Sequence, residues 1–107
     1  MSEIIRNITS QSRYDSSFDE KIYTEFKKIA RKNDRSVNWF LNIKLKELKG
    51  NINLKKYEEN ENYKVKRIYL KKDLYKIVKR ESYLQEITIR DYLQSLMEKV
   101  INSEIQK

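Results

Sequence analysis

The residues of this chain best suited to chemistry are positively charged side chains gathered in its second half. Eight lysines and arginines fall within positions 64–80, where Asp73 is the only acidic residue. The chain has no cysteine and no histidine, which excludes disulfides, Cys/His zinc sites and histidine acid–base catalysis. Its sixteen carboxylates are scattered among lysines, with no glycine-rich phosphate loop. We therefore predict a protein that is not an enzyme, needs no cofactor and binds a polyanion.

The excess of positive charge is shared by both halves of the chain. The net charge is +8, with eleven Lys/Arg against seven Asp/Glu in residues 1–52 and thirteen against nine in residues 53–107. Each half thus contributes +4. The chain has no apolar run long enough to cross a bilayer, and residues 1–12 lack a signal-peptide core. We expect a cytoplasmic protein that contacts its polyanion with both halves and has no membrane partner.

The two halves also follow one pattern, written twice. When the sequence is shifted by 52 positions, segment 18–48 falls on segment 70–100 without a gap, apolar on apolar and hydroxyl on hydroxyl. The matched pairs include Phe18 with Leu70, Ile22 with Leu74, Phe26 with Val78, Ser36 with Thr88, Phe40 with Tyr92 and Leu45 with Met97. A repeat of this length is one supersecondary unit, and two such units can bury their apolar faces against each other.

Each copy is predicted to be a short strand, a helix, a tight turn and a second helix. In the first copy, residues 13–18 alternate as a weak strand, and a helix begins near Asp19. A turn follows at 33–35, Ser36 is a good N-cap for the second helix, and Gly50 suits that helix's C-terminus. With 38% apolar residues, one Gly and no Pro, we expect a mainly helical chain with one core layer.

The second copy is expected to repeat this order and to share its core with the first. Its strand is predicted at 63–70, its turn near 85–87 and its second helix after the N-cap Thr88. These boundaries give units at 13–50 and 63–101. Three segments remain: residues 1–12 as a flexible arm, the polar segment 51–62 as a linker, and the last seven residues, which we expect to trail off from the helix.

The residues at the start of each copy resemble the ribbon-helix-helix (MetJ/Arc-like) family of DNA-binding proteins. The first copy carries the resemblance in residues 18–23, 27–30 and 35–39, and the second in 66–70 and 87–90. In that family two units intertwine, and their strands form an antiparallel ribbon that enters the DNA major groove. Two tandem copies imply a pseudo-dimer within one chain and a sequence-specific double-stranded DNA-binding protein. The resemblance fits a transcriptional repressor, or a relaxosome-type accessory protein of plasmid transfer or partition.

Strand alternation assigns the side chains expected to face DNA. With Ile68 and Leu70 turned inward, the second strand presents Val65, Arg67 and Tyr69 outward. With Tyr14 and Phe18 turned inward, the first strand presents Arg13, Asp15 and Ser17 outward. The resemblance adds phosphate anchors at the start of each copy's second helix, and the clustered cations at 64–72 suit phosphates. The predicted DNA-binding residues are Arg13, Asp15, Ser17, Ser36, Asn38, Lys64, Val65, Lys66, Arg67, Tyr69, Lys71, Lys72, Thr88 and Arg90.

The chemistry or position of Asp15, Ser16 and Trp39 sets them apart from the other residues of the motif. Asp15 departs from a basic DNA-facing surface, since a carboxylate near phosphates is unfavourable unless it accepts a hydrogen bond from cytosine N4. Ser16 occupies an inward position where the family has an apolar residue. Trp39, beside the capped start of the second helix, is interpreted as partly buried packing.

Two other interpretations remain open. A winged helix would pair residues 52–57 with residues 63–70 as a hairpin and would bind DNA without the repeat. An antitoxin-like or adaptor module would bind a protein partner instead, although only residues 101–107 remain after the last predicted helix to form a partner-binding tail. For the DNA-binding interpretation we also consider self-association on neighbouring DNA subsites and a protein partner within a nucleoprotein complex.

Overall fold

The computed structural model of the chain describes residues 11–105. In chain order its elements are β1 (Gln11–Asp19), α1 (Glu20–Lys32), α2 (Val37–Leu48), β2 (Tyr63–Lys71), α3 (Lys72–Leu84) and α4 (Ile89–Ile105). The two strands pair as one antiparallel sheet. The predicted fold class, mainly helical with a short two-stranded antiparallel ribbon, is therefore confirmed.

The ribbon alternates cleanly between a buried and an exposed face. Its register places Asp15 opposite Arg67 at the centre and Arg13 opposite Tyr69 on one side. Phe18, Ile68 and Leu70 are fully buried on the inner face, whereas Val65 on the outer face is 76% exposed. The inner face is thus committed to the core, and the outer face is available to a partner.

Two buried amides from the helices complete the outer edges of the ribbon. Asn42 of α2 donates through Nδ2 to the Tyr69 carbonyl (2.9 Å) and accepts through Oδ1 from the Lys71 amide (2.8 Å). Gln94 of α4, which is fully buried, accepts through Oε1 from the Asp19 amide (2.9 Å). A two-stranded ribbon is marginally stable by itself and leaves unpaired edge groups. These amides and the helix packing supply what the isolated ribbon lacks.

One hydrophobic core serves the whole described chain. It takes side chains from both strands and all four helices, with Phe26 of α1 and Phe40 of α2 in ring contact at 5.4 Å between centroids. The contribution of α4 is Tyr92, Leu93, Leu96, Met97 and Val100. Because each half contributes to the same cluster, neither half can bury its apolar surface without the other.

Several predicted boundaries differ from those observed. Gln11 and Ser12, assigned to the N-terminal arm, begin β1; residues 1–10 of that arm lie outside the described residues. The end of α4 was also predicted wrongly, since the helix continues through Ile105 instead of trailing off. The helix continues because Ile101 still packs against the core and extends the apolar pattern of α4 by one more turn.

The segment between the halves forms no hairpin. Residues 51–60 adopt neither helix nor strand, and in the described chain β2 pairs with β1 rather than with 52–57. Ile52 and Leu54 pack against the core from this segment, so its apolar side chains are used for burial and not for strand pairing. The hairpin of the winged-helix interpretation is therefore absent from the described residues.

The two helix–helix turns share one backbone design. Asp34 and Glu86 have φ of 56° and 57°, and the following amides of Arg35 and Ile87 reach back five residues to carbonyls in α1 and α3, each at 3.0 Å. This is the Schellman arrangement, in which a left-handed residue ends the helix. Gly50, which ends α2, has φ of 83°, as its position in the sequence predicted.

Glu86 is the strained member of this pair, and replacing it should stabilise the protein. A glutamate in the left-handed region has an unfavourable contact at Cβ that glycine avoids, whereas aspartate tolerates the region better. We expect Glu86→Gly to raise the free energy of unfolding by about 0.5–1 kcal/mol, after the entropic cost of glycine. Urea denaturation would measure it. Asp34→Gly is the matched control and should give a smaller gain.

Candidate nucleic-acid interface

The outer face of the ribbon brings together half of the residues predicted to bind DNA. The odd-numbered positions of both strands point to this side, in agreement with the expected alternation. We call this surface the ribbon face and define it by Arg13, Asp15, Ser17, Val65, Arg67, Tyr69 and Lys71. It carries three cations against one carboxylate, together with hydroxyls and one apolar side chain. A face of this composition can donate to acceptor groups and also contact a methyl group.

Asp15 lies at the centre of the ribbon face and holds two arginines. Arg13 donates to its carboxylate through Nη2 (2.8 Å) and Nε (3.2 Å), and Arg67 approaches from the opposite strand with Nε at 3.6 Å. The hydrogen bond from Arg13 lowers the pKa of the Asp15 carboxyl, and the charge of Arg67 contributes. The sequence interpretation of Asp15 as an awkward DNA-facing carboxylate missed this role, which is to orient both guanidinium groups.

Arg67 keeps its hydrogen-bonding fork available. Its Nε lies 3.6 Å from the Asp15 carboxylate, and its side chain is 55% exposed. Its two terminal nitrogens donate no well-formed hydrogen bond to another described residue, so they face solvent on the ribbon face. A guanidinium held at one side and open at the other is suited to bidentate pairing with the O6 and N7 of guanine.

Three predicted cations lie elsewhere. Lys66 has the inward parity of Ile68, its ammonium lies 3.1 Å from Glu20, and it stands over the ring of Tyr23. Its assignment to the DNA-facing set does not fit this position, because strand alternation overrides the charge cluster in which it sits. Lys64 is exposed near the start of β2, and Lys72 is exposed as the first residue of α3, so both lie beside the ribbon face rather than on it.

The start of α2 presents an open groove next to the ribbon. Ser36 caps the helix by accepting from the Trp39 amide (3.2 Å), and Asn38 accepts from the Tyr69 amide (3.1 Å). Beside them is a groove of about 330 Å³, which we call the α2 groove. We define it by Gln11, Trp39, Ile43, Lys46, Lys49 and Lys71.

Trp39 is more open than its interpretation as partly buried packing implied. It is 50% exposed and carries the guanidinium of Arg35 at 4.4 Å over its ring, so the half-exposed ring packs against Arg35 and not against the core. Lys46 and Lys49, both exposed, were missed as candidates. The spacing of Trp39, Ile43 and Lys46 on one helical face, away from the core-facing side chains, is the signal that could have found them.

The start of α4 is covered by residues 57–59 of the linker. Thr88 and Asp91 cap it reciprocally, each side chain accepting from the other's amide at 3.0 and 3.3 Å. The side chain of Arg90 is only 12% exposed and pairs with Glu59 of the linker (2.9 Å). Its Nη2 also donates to the Tyr57 carbonyl. Contacts within the chain therefore occupy Thr88 and Arg90, which were predicted to bind phosphate.

The linker is fixed along α4 by a series of polar contacts. The Lys55 amide donates to Ser95 Oγ (3.0 Å) and the Tyr57 amide to Asp91 Oδ1 (3.2 Å). Glu98 accepts from the Tyr57 hydroxyl (2.7 Å) and from Lys55 Nζ (2.9 Å). We call this surface the α4 flank and define it by Lys55, Tyr57, Glu59, Arg90, Asp91, Ser95 and Glu98.

Tyr57→Phe should loosen the α4 flank in a pH-dependent way. Burial raises the pKa of Glu98, but the hydrogen bonds from Lys55 and Tyr57 outweigh it and hold this pKa below its ordinary 4.5. A carboxylate whose pKa is lowered by folding stabilises the fold at pH values above its ordinary pKa. This contribution is lost as the pH falls through the folded-state pKa. We expect Tyr57→Phe to cost about 1 kcal/mol of unfolding free energy at neutral pH.

Thermal unfolding of wild type and variant from pH 7 down to pH 3 would measure this effect. The difference between them should shrink below pH 4.5 as Glu98 becomes protonated. Tyr83→Phe, at a residue that is 83% exposed, is the control and should not change stability. A constant difference across the range would contradict the contact between Tyr57 and Glu98.

Comparison with known proteins found no matching protein-family model, no matching curated protein and no matching solved structure. In the described part of the chain, no helix combines the length and the apolar character needed to cross a membrane.

Proposed function

We propose that this protein binds double-stranded DNA sequence-specifically by placing the β1–β2 ribbon in the major groove. The observation that carries the proposal is the ribbon face itself. Two nine-residue strands bury one face in the core and offer the other, rich in hydrogen-bond donors, to a partner. The major groove of B-DNA is about 12 Å wide and admits a two-stranded β-ribbon. The net charge of +8 favours association with the phosphate backbone.

The proposal includes a tandem ribbon-helix-helix pseudo-dimer, for which the strand register is the first support. Asp15 and Arg67 are 52 positions apart in the repeat and lie directly opposite each other. Antiparallel strands centred on two equivalent residues are what a pseudo-twofold axis through that pair requires. In this register the equivalent pair also falls at the midpoint of both nine-residue strands.

The helices support the same pseudo-symmetry. Asn42 and Gln94 are also 52 apart, and their side-chain oxygens accept from the amides of Lys71 and Asp19, which are again 52 apart. The second helix of each half thus packs on the strand of the other half, an intertwined arrangement. The left-handed turn residues Asp34 and Glu86 obey the same spacing.

The proposed DNA readout differs along the ribbon. Arg67 at the centre reads guanine, and Val65 contacts a thymine methyl group. Arg13 and Tyr69, opposite each other, form a polar end, whereas Ser17 and Val65 form a smaller and more apolar end. Because the equivalent residues differ in chemistry, we infer an asymmetric target site. Regulation of an operon and accessory binding at a plasmid transfer or partition site both fit such a site.

Selection of bound duplexes from a randomised DNA library at roughly physiological salt tests the proposal, because salt suppresses non-specific phosphate binding. We expect a short enriched motif that is asymmetric within the footprint of one chain. A perfect palindrome would contradict the internal ribbon and indicate a homodimer on DNA. The absence of any enriched motif would overturn sequence-specific binding and favour a protein-binding role.

A further inference from the structure

The two sides of the ribbon differ chemically at positions that the repeat makes equivalent. Trp39 on α2 corresponds to Asp91 on α4, and Lys46 corresponds to Glu98. At the ends of the strands, Lys71 corresponds to Asp19. An aromatic ring and two cations on one side are therefore replaced by three carboxylates on the other.

The α2 groove is open and positively charged. Among the described residues, no ion pair engages the ammonium groups of Lys46, Lys49 or Lys71, and one carboxylate, Asp73, shares the lining. The groove is continuous with the ribbon face, since Gln11 and Lys71 are paired in the sheet and both line it. A polyanion lying across the ribbon face would meet this groove at that end.

The α4 flank is closed and acidic. The linker covers the start of α4, where Glu59 neutralises Arg90, and the charge of Lys55 is used on Glu98. A neighbouring surface at the same end of the ribbon is lined by three carboxylates, Asp19, Glu20 and Glu25, and by one cation, Lys21. A phosphate approaching this surface would meet three carboxylates and one cation, and the two cations of the α4 flank, Lys55 and Arg90, already have partners.

From this contrast we propose that the protein contacts the DNA backbone at only one end of the ribbon. The α2 groove binds the sugar–phosphate backbone next to one end of the ribbon, with Lys46, Lys49 and Lys71 on phosphates and Trp39 against the sugar. The α4 flank leaves the backbone at the other end uncontacted. Phosphate contacts fix the orientation of a protein on a duplex, so the chain binds in a single direction. This inference rests on the proposed DNA-binding function and adds a polarity to it.

The test uses three duplexes that carry the selected motif: one with both flanks, and one shortened on each side. Trp39 is the only tryptophan in the chain, so its fluorescence reports occupancy of the α2 groove directly. Shortening the duplex on the side that the α2 groove contacts should weaken binding roughly tenfold and abolish the change in Trp39 emission, because phosphate contacts carry much of the affinity. Shortening the duplex on the opposite side, next to the α4 flank, should change affinity by less than about twofold and preserve the change in Trp39 emission.

A matched pair of double variants assigns the effect to the α2 groove. Lys46→Glu with Lys49→Glu should weaken binding of the full duplex roughly tenfold and remove the difference between the shortened duplexes. Lys76→Glu with Lys79→Glu makes the same charge change, at the same spacing, on exposed positions of α3. This control should weaken binding less and leave the difference in place. Thermal melting of both variants checks that they fold.

The outcomes separate this inference from the function on which it rests. If no motif is selected, DNA reading by the ribbon fails. If binding is specific but both shortened duplexes lose affinity equally, the polarity is overturned while the ribbon proposal stands. The inference is also overturned if the variants of Lys46 and Lys49 lower only the melting temperature and no duplex changes Trp39 emission.

Discussion

Arg67→Ala should weaken binding to the selected duplex by about 1–3 kcal/mol and relax the base preference at one position. Arg67 lies at the centre of the ribbon face, with its Nε held by Asp15 at 3.6 Å and its terminal nitrogens open. Truncation removes the proposed bidentate pair from the middle of the footprint. Fluorescence anisotropy against the selected duplex and against single-base variants of it would measure both the affinity and the relaxed position.

Arg67→Lys is the informative control, because it keeps the charge but loses the planar fork. We expect this variant to retain most of its salt dependence and still lose discrimination at the same base position. Wild-type affinity and selectivity in Arg67→Ala would show that the ribbon face does not read DNA. An equal loss of affinity on every sequence would reduce the role of Arg67 to a phosphate contact.

Asn42→Leu should destabilise the fold by about 2–4 kcal/mol, because it leaves two strand-edge groups and one polar contact within α2 without their partner. The side chain of Asn42 bonds the Tyr69 carbonyl, the Lys71 amide and the Asn38 carbonyl, and the residue is 7% exposed. Leucine has the same branched shape and number of side-chain heavy atoms, so most of the loss reports the hydrogen bonds. Urea denaturation gives the magnitude.

Gln94→Leu is the matched comparison on the other strand. Gln94 accepts from the Asp19 amide and donates to the Tyr63 hydroxyl, so we expect a cost of similar sign and somewhat smaller size. Hydrogen exchange should locate each effect, with faster exchange near Lys71 for the Asn42 variant and near Asp19 for the Gln94 variant. Neutral effects for both would mean that the strand edges do not depend on the helix amides.

Most of the fold was predictable because its signals are local. The alternation at 63–70, the cap residues Ser36 and Thr88, and the turn positions are each encoded within a few residues. The repeat then supplied what β1 lacks: two serines and an aspartate make residues 13–18 a poor strand alone, yet β1 forms because β2 pairs along its whole length.

The remaining features depend on contacts between distant residues. Nothing in the sequence around Gln94 indicates that it meets an amide 75 positions away, and the linker contacts of Arg90 are equally non-local. Lys66 is different, because strict alternation from Ile68 would have placed it inward, away from the ribbon face. The sequence interpretation gave more weight to its positively charged neighbours than to the geometry of the strand.

The measurement that tests the central proposal most directly is an amide NMR titration of the whole chain with the selected duplex. The account predicts that the largest shift changes fall on β1 and β2, led by the residues of the ribbon face, with smaller changes at the start of α2. It predicts little change along the linker-covered start of α4. Changes confined to the basic outer surfaces of α1 and α3, with both strands unaffected, would contradict DNA binding by the ribbon.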